Sequence, residues 1–213
     1  MTKVELRKKI KALLSDSVET FPKASELICQ RIINSEIYKK SSIILSYMAL
    51  ADEVNLDSLM EQALKDGKKV YVPRIIPNSS QMDFYEKTYD SELNYYGIKE
   101  PLESAPKFQI KNYDEEILFL IPGRAFSLEG ARLGRGKGYY DTYISKLKSC
   151  ISQSNLEFIH LAGVCFSIQI FDKIPIEKHD EKMNYIITEN EFCKNIFIKF
   201  HLRKRNYHNH VLK

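Results

Sequence analysis

The sequence has 213 residues, of which 44% are hydrophobic and 28% charged, and 32 basic against 28 acidic side chains give a formal net charge of +4 at pH 7. This length and composition predict one globular domain and exclude a chain that is disordered over most of its length. The positive surplus is too small for a dedicated nucleic-acid-binding protein, although it suits small anionic ligands.

Helical periodicity predicts two amphipathic helices at the start of the chain. The first would bury an apolar stripe and present lysines and arginines to solvent. The second would begin near Pro22, because proline is favoured in a first helical turn. The apolar positions that we expect to face the core are Val4, Ile10, Leu13 and Leu14 in the first helix, and Leu27, Ile28 and Ile32 in the second.

A β-α-β pattern follows these helices. Residues 43–47 form an apolar run of strand length, a helix is expected near 56–65 with Gly67 at its end, and residues 69–73 form the next strand. Apolar strands joined by a crossover of this length indicate a parallel sheet covered by helices. Residues 74–116 are predicted to be irregular, apart from a strand over 82–85, and leave room for an added flap.

The second half of the chain contains the strongest strand prediction, residues 117–121. A glycine-rich loop follows, before a helix over about 139–147, and strands are expected over 158–164 and 185–188. The basic tail from residue 194 could contact RNA or anionic lipid, but a solvated or helical terminus is favoured because short basic runs usually face water.

The apolar segments and the cysteines indicate the cellular setting. No apolar run reaches the roughly 18 residues of a membrane helix, and the charged start of the chain is unlike a signal peptide. We therefore expect a cytoplasmic protein. The cysteines Cys29, Cys150, Cys165 and Cys193 form no C-x-x-C pair. This spacing predicts neither disulfides nor a zinc site, and we expect buried free thiols.

The glycine-rich loop carries the clearest chemical signal. Five of the eight glycines lie between Gly123 and Gly138. Glycine permits positive φ and close approach of a ligand, and N–H groups between a strand and a helix favour phosphate. Arg132, Arg135 and Lys137 alternate with the glycines. This pattern favours a polyphosphate ligand over a merely tight turn, although the spacing matches neither a Walker A nor a Rossmann motif.

The residues that follow the loop leave alternatives open. A carboxylate such as Asp141 beside bound phosphates can hold Mg²⁺ with several waters, or it can simply stabilise the helix N-terminus. Tyr139 and Tyr140 could stack on a flat ring, but one of an adjacent pair on a helix normally packs inward. These residues alone therefore predict a phosphate-bearing ligand without identifying it.

Two segments, LIPGRAF over 120–126 and GARLGRGKGYYD over 130–141, closely resemble the signature of 5-formyltetrahydrofolate cyclo-ligases, also called methenyltetrahydrofolate synthetases. The similarity covers most of residues 3–189, including 3–7, 47–54, Gly97, 100–101, Gln169, 179–180 and 187–189. It implies one three-layer α/β/α domain with a mostly parallel, mixed sheet. We place this domain at 1–196, followed by a basic tail, 197–213, that matches nothing in the family.

The resemblance also implies a reaction. The enzyme would convert 5-formyltetrahydrofolate to 5,10-methenyltetrahydrofolate with ATP as co-substrate and Mg²⁺ as cofactor, releasing ADP and phosphate. ATP would phosphorylate the formyl oxygen, and the neighbouring folate nitrogen would then close the ring with loss of phosphate. Positioning and charge neutralisation supply most of the catalysis in phosphoryl transfer, which suits a cation-rich site. We expect a monomer whose partners are reduced folate and ATP, with no nucleic acid and no membrane.

Residue by residue, the resemblance implies four sets of roles. The ATP-binding residues would be Lys3, Arg7, Arg132, Leu133, Gly134, Arg135, Gly136, Lys137, Gly138, Tyr139 and Tyr140. The substrate-binding residues would be Met48, Glu53, Arg135, Tyr139 and Tyr140, with Glu53 accepting hydrogen bonds from pterin N–H groups. Arg132, Arg135 and Lys137 would be catalytic. Asp141 and Asp180 would ligate Mg²⁺. Without the resemblance, Lys3, Arg7 and Glu53 would be interpreted as ordinary surface charges.

Three positions depart from the family pattern. Ser127 and Asn184 each replace a common Asp, and Tyr96 replaces the usual Trp or Phe before Gly97. We expect local hydrogen bonding to change and the chemistry to survive. Two other hypotheses stay open, a phosphotransferase for another small anionic metabolite and a nucleotide- or RNA-binding module without chemistry.

Overall fold

A seven-stranded sheet with helices on both faces organises the chain. The computed structural model describes residues 1–88, 91–94, 97, 99–111, 114–177 and 180–195. The helices are α1 (Lys3–Ser15), α2 (Phe21–Ile33), α3 (Glu36–Lys40), α4 (Asp57–Lys65) and α5 (Tyr139–Cys150). The strands are β1 (Ser41–Leu45), β2 (Lys69–Ile75), β3 (Met82–Glu86), β4 (Ser91–Leu93), β5 (Lys99–Pro101), β6 (Glu116–Pro122), β7 (Ala125–Phe126), β8 (Arg132–Leu133), β9 (Ile159–Val164), β10 (Tyr185–Ile187) and β11 (Phe192–Lys194).

The main sheet has the strand order β11-β10-β9-β6-β1-β2-β3. The five central strands are parallel, whereas β3 and β11 pair antiparallel at the two edges. Strands β4 and β5 form one separate antiparallel pair, and β7 and β8 form another. The predicted α/β fold with a mostly parallel, mixed sheet is therefore confirmed.

Strand β6 lies at the centre because both of its faces are apolar. Leu118 and Leu120 join a core cluster with residues of α1 to α4, whereas Ile117 and Phe119 join a second cluster with residues of α5. Alternate side chains of a strand point to opposite faces, so a run of apolar residues needs cover on both sides. The two clusters thus confirm the three-layer arrangement.

The register of the first two helices corrects part of the sequence prediction. Helix α1 buries Leu6, Ile10 and Leu14, which recur every four residues, while Val4 is 72% and Leu13 38% exposed. In α2, Ile28 and Ile32 are buried as expected, but Leu27 is 48% exposed. Neighbouring residues on a helix point about 100° apart, so Leu27 lies outside the stripe that contains Ile28.

Several short elements were missed by the sequence prediction. Helix α3, the β4–β5 and β7–β8 hairpins and the edge strand β11 all lie in stretches that had no element assigned. The segment 74–116 is therefore less irregular than expected, since β2 continues into it and β5 follows β3 and β4. The predicted tail 197–213, the domain boundary at 196, Tyr96 and His179 lie outside the described residues.

The structure shows the burial of the cysteines and the hydrogen bonds of two residues that depart from the family pattern. All four cysteines are free, but only Cys29 and Cys165 are buried, while Cys150 is exposed and Cys193 is half-buried. The Ser127 hydroxyl accepts a hydrogen bond from the Ala131 N–H at 3.3 Å. The Asn184 side-chain oxygen accepts one from the Leu161 N–H at 2.9 Å. Among the described helices, none is long and apolar enough to cross a membrane.

Candidate active site

A cavity of about 760 Å³ opens where β1, β2 and β6 end. The carboxyl ends of parallel strands are where open α/β sheets bind ligands. All fifteen residues to which the sequence analysis gave a role line this cavity, namely Lys3, Arg7, Met48, Glu53, Arg132, Leu133, Gly134, Arg135, Gly136, Lys137, Gly138, Tyr139, Tyr140, Asp141 and Asp180. Segments far apart in the chain thus meet at one site, while the individual roles stay predictions.

The glycine-rich loop forms one wall between β8 and α5. Gly136 and Gly138 have φ of 106° and 74°, in the region where a side chain would strain the backbone, and Gly138 is the N-cap of α5. The Gly134 carbonyl accepts a hydrogen bond from Arg7 Nε at 2.9 Å, which ties the loop to α1. The loop therefore places backbone N–H groups and the N-terminus of α5 at the cavity, an arrangement that favours anions.

Helix α1 brings two cations to the same wall. A capping box between Thr2 and Glu5 starts the helix, so Lys3 lies in its first turn. Lys3 Nζ is 2.7 Å from Asp180 Oδ2 and 3.0 Å from Glu177 Oε1. Burial acts to lower the pKa of Lys3, but these two carboxylates outweigh it and raise the pKa. The ammonium group therefore stays charged at neutral pH.

Arg132 is the most deeply buried cation of the site. Its side chain is only 3% exposed, and one terminal nitrogen lies 2.6 Å from Asp141 Oδ2. The other donates to the Pro122 carbonyl at 3.2 Å, and the guanidinium lies over the Tyr140 ring at 5.5 Å. Its Nε is buried and has no hydrogen-bond partner among the described residues. These contacts hold a positive charge in one position before any ligand binds.

A second charged group lies in the loop after β1. Arg135 Nε donates to Glu53 Oε1 at 2.9 Å, and another Arg135 nitrogen pairs with Asp52. Asp52 is also paired with Arg124. Burial acts to raise the pKa of Asp52, but Arg135 and Arg124 outweigh it and lower the pKa. Glu53 further accepts a hydrogen bond from the Leu50 N–H at 3.1 Å. Both carboxylates are thereby held against cations.

Aromatic side chains complete the wall between these charged groups. Tyr139 and Tyr140 line the cavity and also pack partly against the core beneath α5, so neither of the adjacent pair is wholly inward. Burial, with a smaller contribution from Glu53, raises the pKa of Tyr140. The Tyr47 hydroxyl, which is buried, donates to the Val54 carbonyl at 2.9 Å. The site therefore presents neutral aromatic surfaces beside its cations.

The oxygen donors of the site are compatible with Mg²⁺. Asp141 and Asp180 line the same cavity from α5 and from the segment before β10, and carboxylate oxygens suit this hard cation. Within the described part of the chain, no group of three or more His, Cys, Asp or Glu side chains could hold a metal ion. A magnesium ion here would need further ligands from phosphate and water, as is usual for this metal.

Comparison with known proteins identifies the family. The profile of the 5-formyltetrahydrofolate cyclo-ligase family matches residues 1–189. The chain belongs to this family. The resemblance that the motifs indicated is thus confirmed, and the chain is an enzyme of the ligase class linked to folate metabolism.

Individual relatives agree with this membership. A probable 5-formyltetrahydrofolate cyclo-ligase of Schizosaccharomyces pombe is 33% identical over 176 residues, covering 79% of this chain and 85% of the relative. The 5-formyltetrahydrofolate cyclo-ligase of Mus musculus is 31% identical over 193 residues, covering 88% and 92%. The NMR structure of a 5,10-methenyltetrahydrofolate synthetase from Aquifex aeolicus superposes with a TM-score of 0.69 at 28% identity, covering 92% of this chain and 94% of that one.

Some residues of this cyclo-ligase site were missed by the sequence analysis. The additional lining residues are Tyr47, Leu50, Pro73, Ile75, Met82, Glu100, Pro122, Gly123 and Glu177. Of these, five lie within segments that carry the family resemblance, so that signal could have found them, namely Tyr47, Leu50, Glu100, Pro122 and Gly123. Ile75 and Met82 carry no chemical signal, because they contribute only apolar wall.

Proposed function

We propose that this chain catalyses the conversion of 5-formyltetrahydrofolate to 5,10-methenyltetrahydrofolate, with ATP and Mg²⁺ required and ADP and phosphate released. The single observation that carries the proposal is the meeting of fifteen family-matched residues in one cavity of about 760 Å³. That volume lies within the range of about 300 to 1,000 Å³ that small-molecule sites occupy.

The phosphates of ATP bind where the cations and the N-terminus of α5 converge. Lys3, Arg7 and Arg132 are supplied by α1 and β8, and each is held by a protein partner. Lys137 is exposed and forms no ion pair within the described residues, so it is available to the phosphates. Cations in fixed positions favour the transition state of phosphoryl transfer, because they need not reorganise as charge moves.

The folate binds at the other end of the cavity. Glu53 accepts hydrogen bonds from the amino and ring N–H groups of the pterin, and its side chain is only 9% exposed. Met48, Tyr139 and Tyr140 provide apolar and aromatic surface for the flat ring system. Arg135 reaches from the glycine-rich loop to Glu53, where it borders both substrates.

The reaction proceeds in two steps with atoms and charge accounted for. The formyl oxygen attacks the γ-phosphorus, and the bond from that phosphorus to ADP breaks. The neighbouring folate nitrogen then attacks the formyl carbon, the carbon–oxygen bond breaks with loss of phosphate, and the nitrogen gives up its proton. Arg132, Arg135 and Lys137 neutralise the charge on the transferred group. Asp141 and Asp180 would hold Mg²⁺, which neutralises charge on the phosphate oxygens when it is bound.

A direct assay tests the proposal. Purified protein given 5-formyltetrahydrofolate, ATP and Mg²⁺ should produce the near-ultraviolet absorbance of the methenyl product, with one ADP per product. Omitting any one component should abolish the signal. The proposal is wrong if neither absorbance nor ADP appears. ATP turnover that ignores the folate would indicate a different acceptor, and RNA binding that is lost with residues 198–213 would indicate a binding module. We keep a monomeric state and a cytoplasmic location as predictions, to be checked by gel filtration and cell fractionation.

A further inference from the structure

Behind the folate end of the cavity, two cations and two anions form a chain of ion pairs. Arg135 bridges Glu53 and Asp52, and Asp52 bridges Arg135 and Arg124. Glu53 and Arg135 line the cavity, whereas Asp52 and Arg124 are absent from its described lining. The pair Asp52 and Arg124 therefore acts on the site only through its neighbours.

Binding of the folate substrate affects the contact between Glu53 and Arg135. Glu53 already uses Oε1 to accept from Arg135 at 2.9 Å and Oε2 to accept from the Leu50 N–H at 3.1 Å. Its side chain is only 9% exposed, so little of the carboxylate is open to new donors. Each carboxylate oxygen has a second lone pair, but the low exposure means that pterin N–H groups reaching Glu53 compete with Arg135 for Oε1. This exchange would leave the Arg135 cation with one carboxylate fewer.

We propose that Asp52 is a positioning residue that keeps Arg135 paired while the folate substrate takes over Glu53. This inference rests on the proposed function, because it assumes that Glu53 receives the pterin. The Arg135 side chain is 33% exposed, so leaving it without a carboxylate partner is unfavourable but less costly than for a fully buried cation, and the second carboxylate avoids that cost. Burial acts to lower the pKa of Arg135, but Glu53 and Asp52 outweigh it and raise the pKa. The cation thus persists through the exchange and requires an anionic partner.

Nucleotide should make Asp52 less important. In the proposed function the phosphates of ATP border the same arginine, so they would offer it an anionic partner once they are bound. Asp52 therefore matters most for folate binding in the absence of nucleotide. Loss of Asp52 should also increase the coupling between the two ligands, since each would assist the other through Arg135. A residue that merely supported the fold would weaken folate binding equally with and without nucleotide.

The test is the dissociation constant of 5-formyltetrahydrofolate for Asp52→Asn, measured by calorimetry. Without nucleotide, binding should be weaker than wild type by about tenfold or more, because a charge-assisted partner is lost. With Mg²⁺ and a non-hydrolysable ATP analogue, we expect a difference of less than about threefold, since the phosphates replace the missing carboxylate. Asp52→Glu retains a carboxylate and should recover most of the nucleotide-free affinity. If Asp52→Asn does not fold, Asp52→Ser replaces it, and we expect the same loss of folate affinity.

Arg124→Gln distinguishes this role of Asp52 from simple anchoring of the loop after β1 by the ion pair between Asp52 and Arg124. The backbone of Arg124 does not depend on its side chain for its position. Its backbone N–H donates to the Leu133 carbonyl at 2.7 Å, and its backbone carbonyl accepts from the Gln169 side chain at 3.0 Å. In Arg124→Gln, Asp52 still pairs with Arg135, so nucleotide-free folate affinity should change by less than about threefold. Lys107→Gln breaks an ion pair with Asp83 that lies away from the cavity, and it should leave the folate affinity unchanged with and without nucleotide.

The outcomes separate the inference from the proposed function. An equal loss of affinity with and without nucleotide in Asp52→Asn overturns the inference, as does no loss at all. A loss in Arg124→Gln as large as that in Asp52→Asn also overturns it, because anchoring of the loop would then explain both. If the wild-type protein forms the methenyl product while one of these results is obtained, only the inference fails. If the wild-type protein does not bind the folate, both fail.

Discussion

Replacing Arg132 with methionine removes the buried guanidinium and keeps much of the side-chain volume. Three effects on stability compete. Asp141, whose side chain is 19% exposed, loses a partner at 2.6 Å. Removing one partner of a buried pair costs about 3–5 kcal/mol, and we take about 2–3 kcal/mol here because water reaches Asp141. The Pro122 carbonyl loses a donor at 3.2 Å, at a cost of about 1 kcal/mol.

The third effect opposes the first two. Arg132 Nε is a buried donor with no hydrogen-bond partner among the described residues, so its removal regains about 1 kcal/mol. The net loss is about 2–3 kcal/mol, which lowers the melting temperature of a chain of this size by about 4–12 °C. Loss of a charge-assisted phosphate contact should also reduce kcat/KM for ATP by about ten- to a hundredfold.

Arg31→Met is the matched control. Arg31 also donates to a backbone carbonyl, that of Glu189 at 2.8 Å, and its Nε is likewise buried without a partner among the described residues. It does not line the cavity. We expect a stability change of less than about 1 kcal/mol and normal ATP kinetics. Differential scanning calorimetry and the absorbance assay measure both quantities. An Arg132→Met protein that melts like wild type refutes the ion-pair argument, and one with normal kcat/KM for ATP refutes the phosphate contact.

Three further predictions concern single side chains. Lys137→Ala should lower kcat/KM for ATP by about tenfold or more without a measurable change in melting temperature, because Lys137 is exposed, whereas Lys65→Ala should change neither. Asp141→Asn should raise the Mg²⁺ concentration that gives half-maximal activity several-fold at saturating ATP, and an unchanged Mg²⁺ titration would remove Asp141 from the metal site. Burial and the neighbouring Glu191 carboxylate raise the pKa of the Cys193 thiol to about 11, so at pH 8 only roughly one molecule in a thousand carries the reactive thiolate. Mass spectrometry after brief alkylation at pH 8 should find Cys150, which is exposed, modified before Cys193, and equal rates would contradict this expectation.

The fold was predictable from sequence wherever one segment carried its own signal. Residues 117–121 are apolar without interruption, and a strand of that kind must be covered on both faces, as β6 is. Leu27 was misplaced because periodicity shows that a helix has an apolar side but not which of two adjacent residues faces the sheet. Short hairpins such as β7–β8 were missed, since two residues per strand give no periodic pattern.

In the candidate site, too, the local features were predictable from sequence and the contacts between side chains were not. The glycine-rich loop was predictable because Gly136 and Gly138 meet a local backbone demand, and their positive φ confirms it. The pairing of Arg132 with Asp141 was not predicted, although the residues are only nine positions apart. The Arg124–Asp52 pair spans 72 positions and was missed entirely. Opposite charges are common along a chain, so composition alone cannot select which ones meet.

The sequence by itself therefore determined the longer helices and strands, the glycine-rich loop and, through its motifs, membership of the cyclo-ligase family. The family resemblance placed Lys3, Glu53 and Asp180 at one site with that loop, and the structure shows them lining one cavity. Only the tertiary structure decided that Arg135 is shared between two carboxylates. The physical reason is the distance along the chain over which each interaction acts. Backbone conformation and hydrophobic periodicity act over a few residues, whereas ion pairs across a cavity depend on how the helices pack against the sheet.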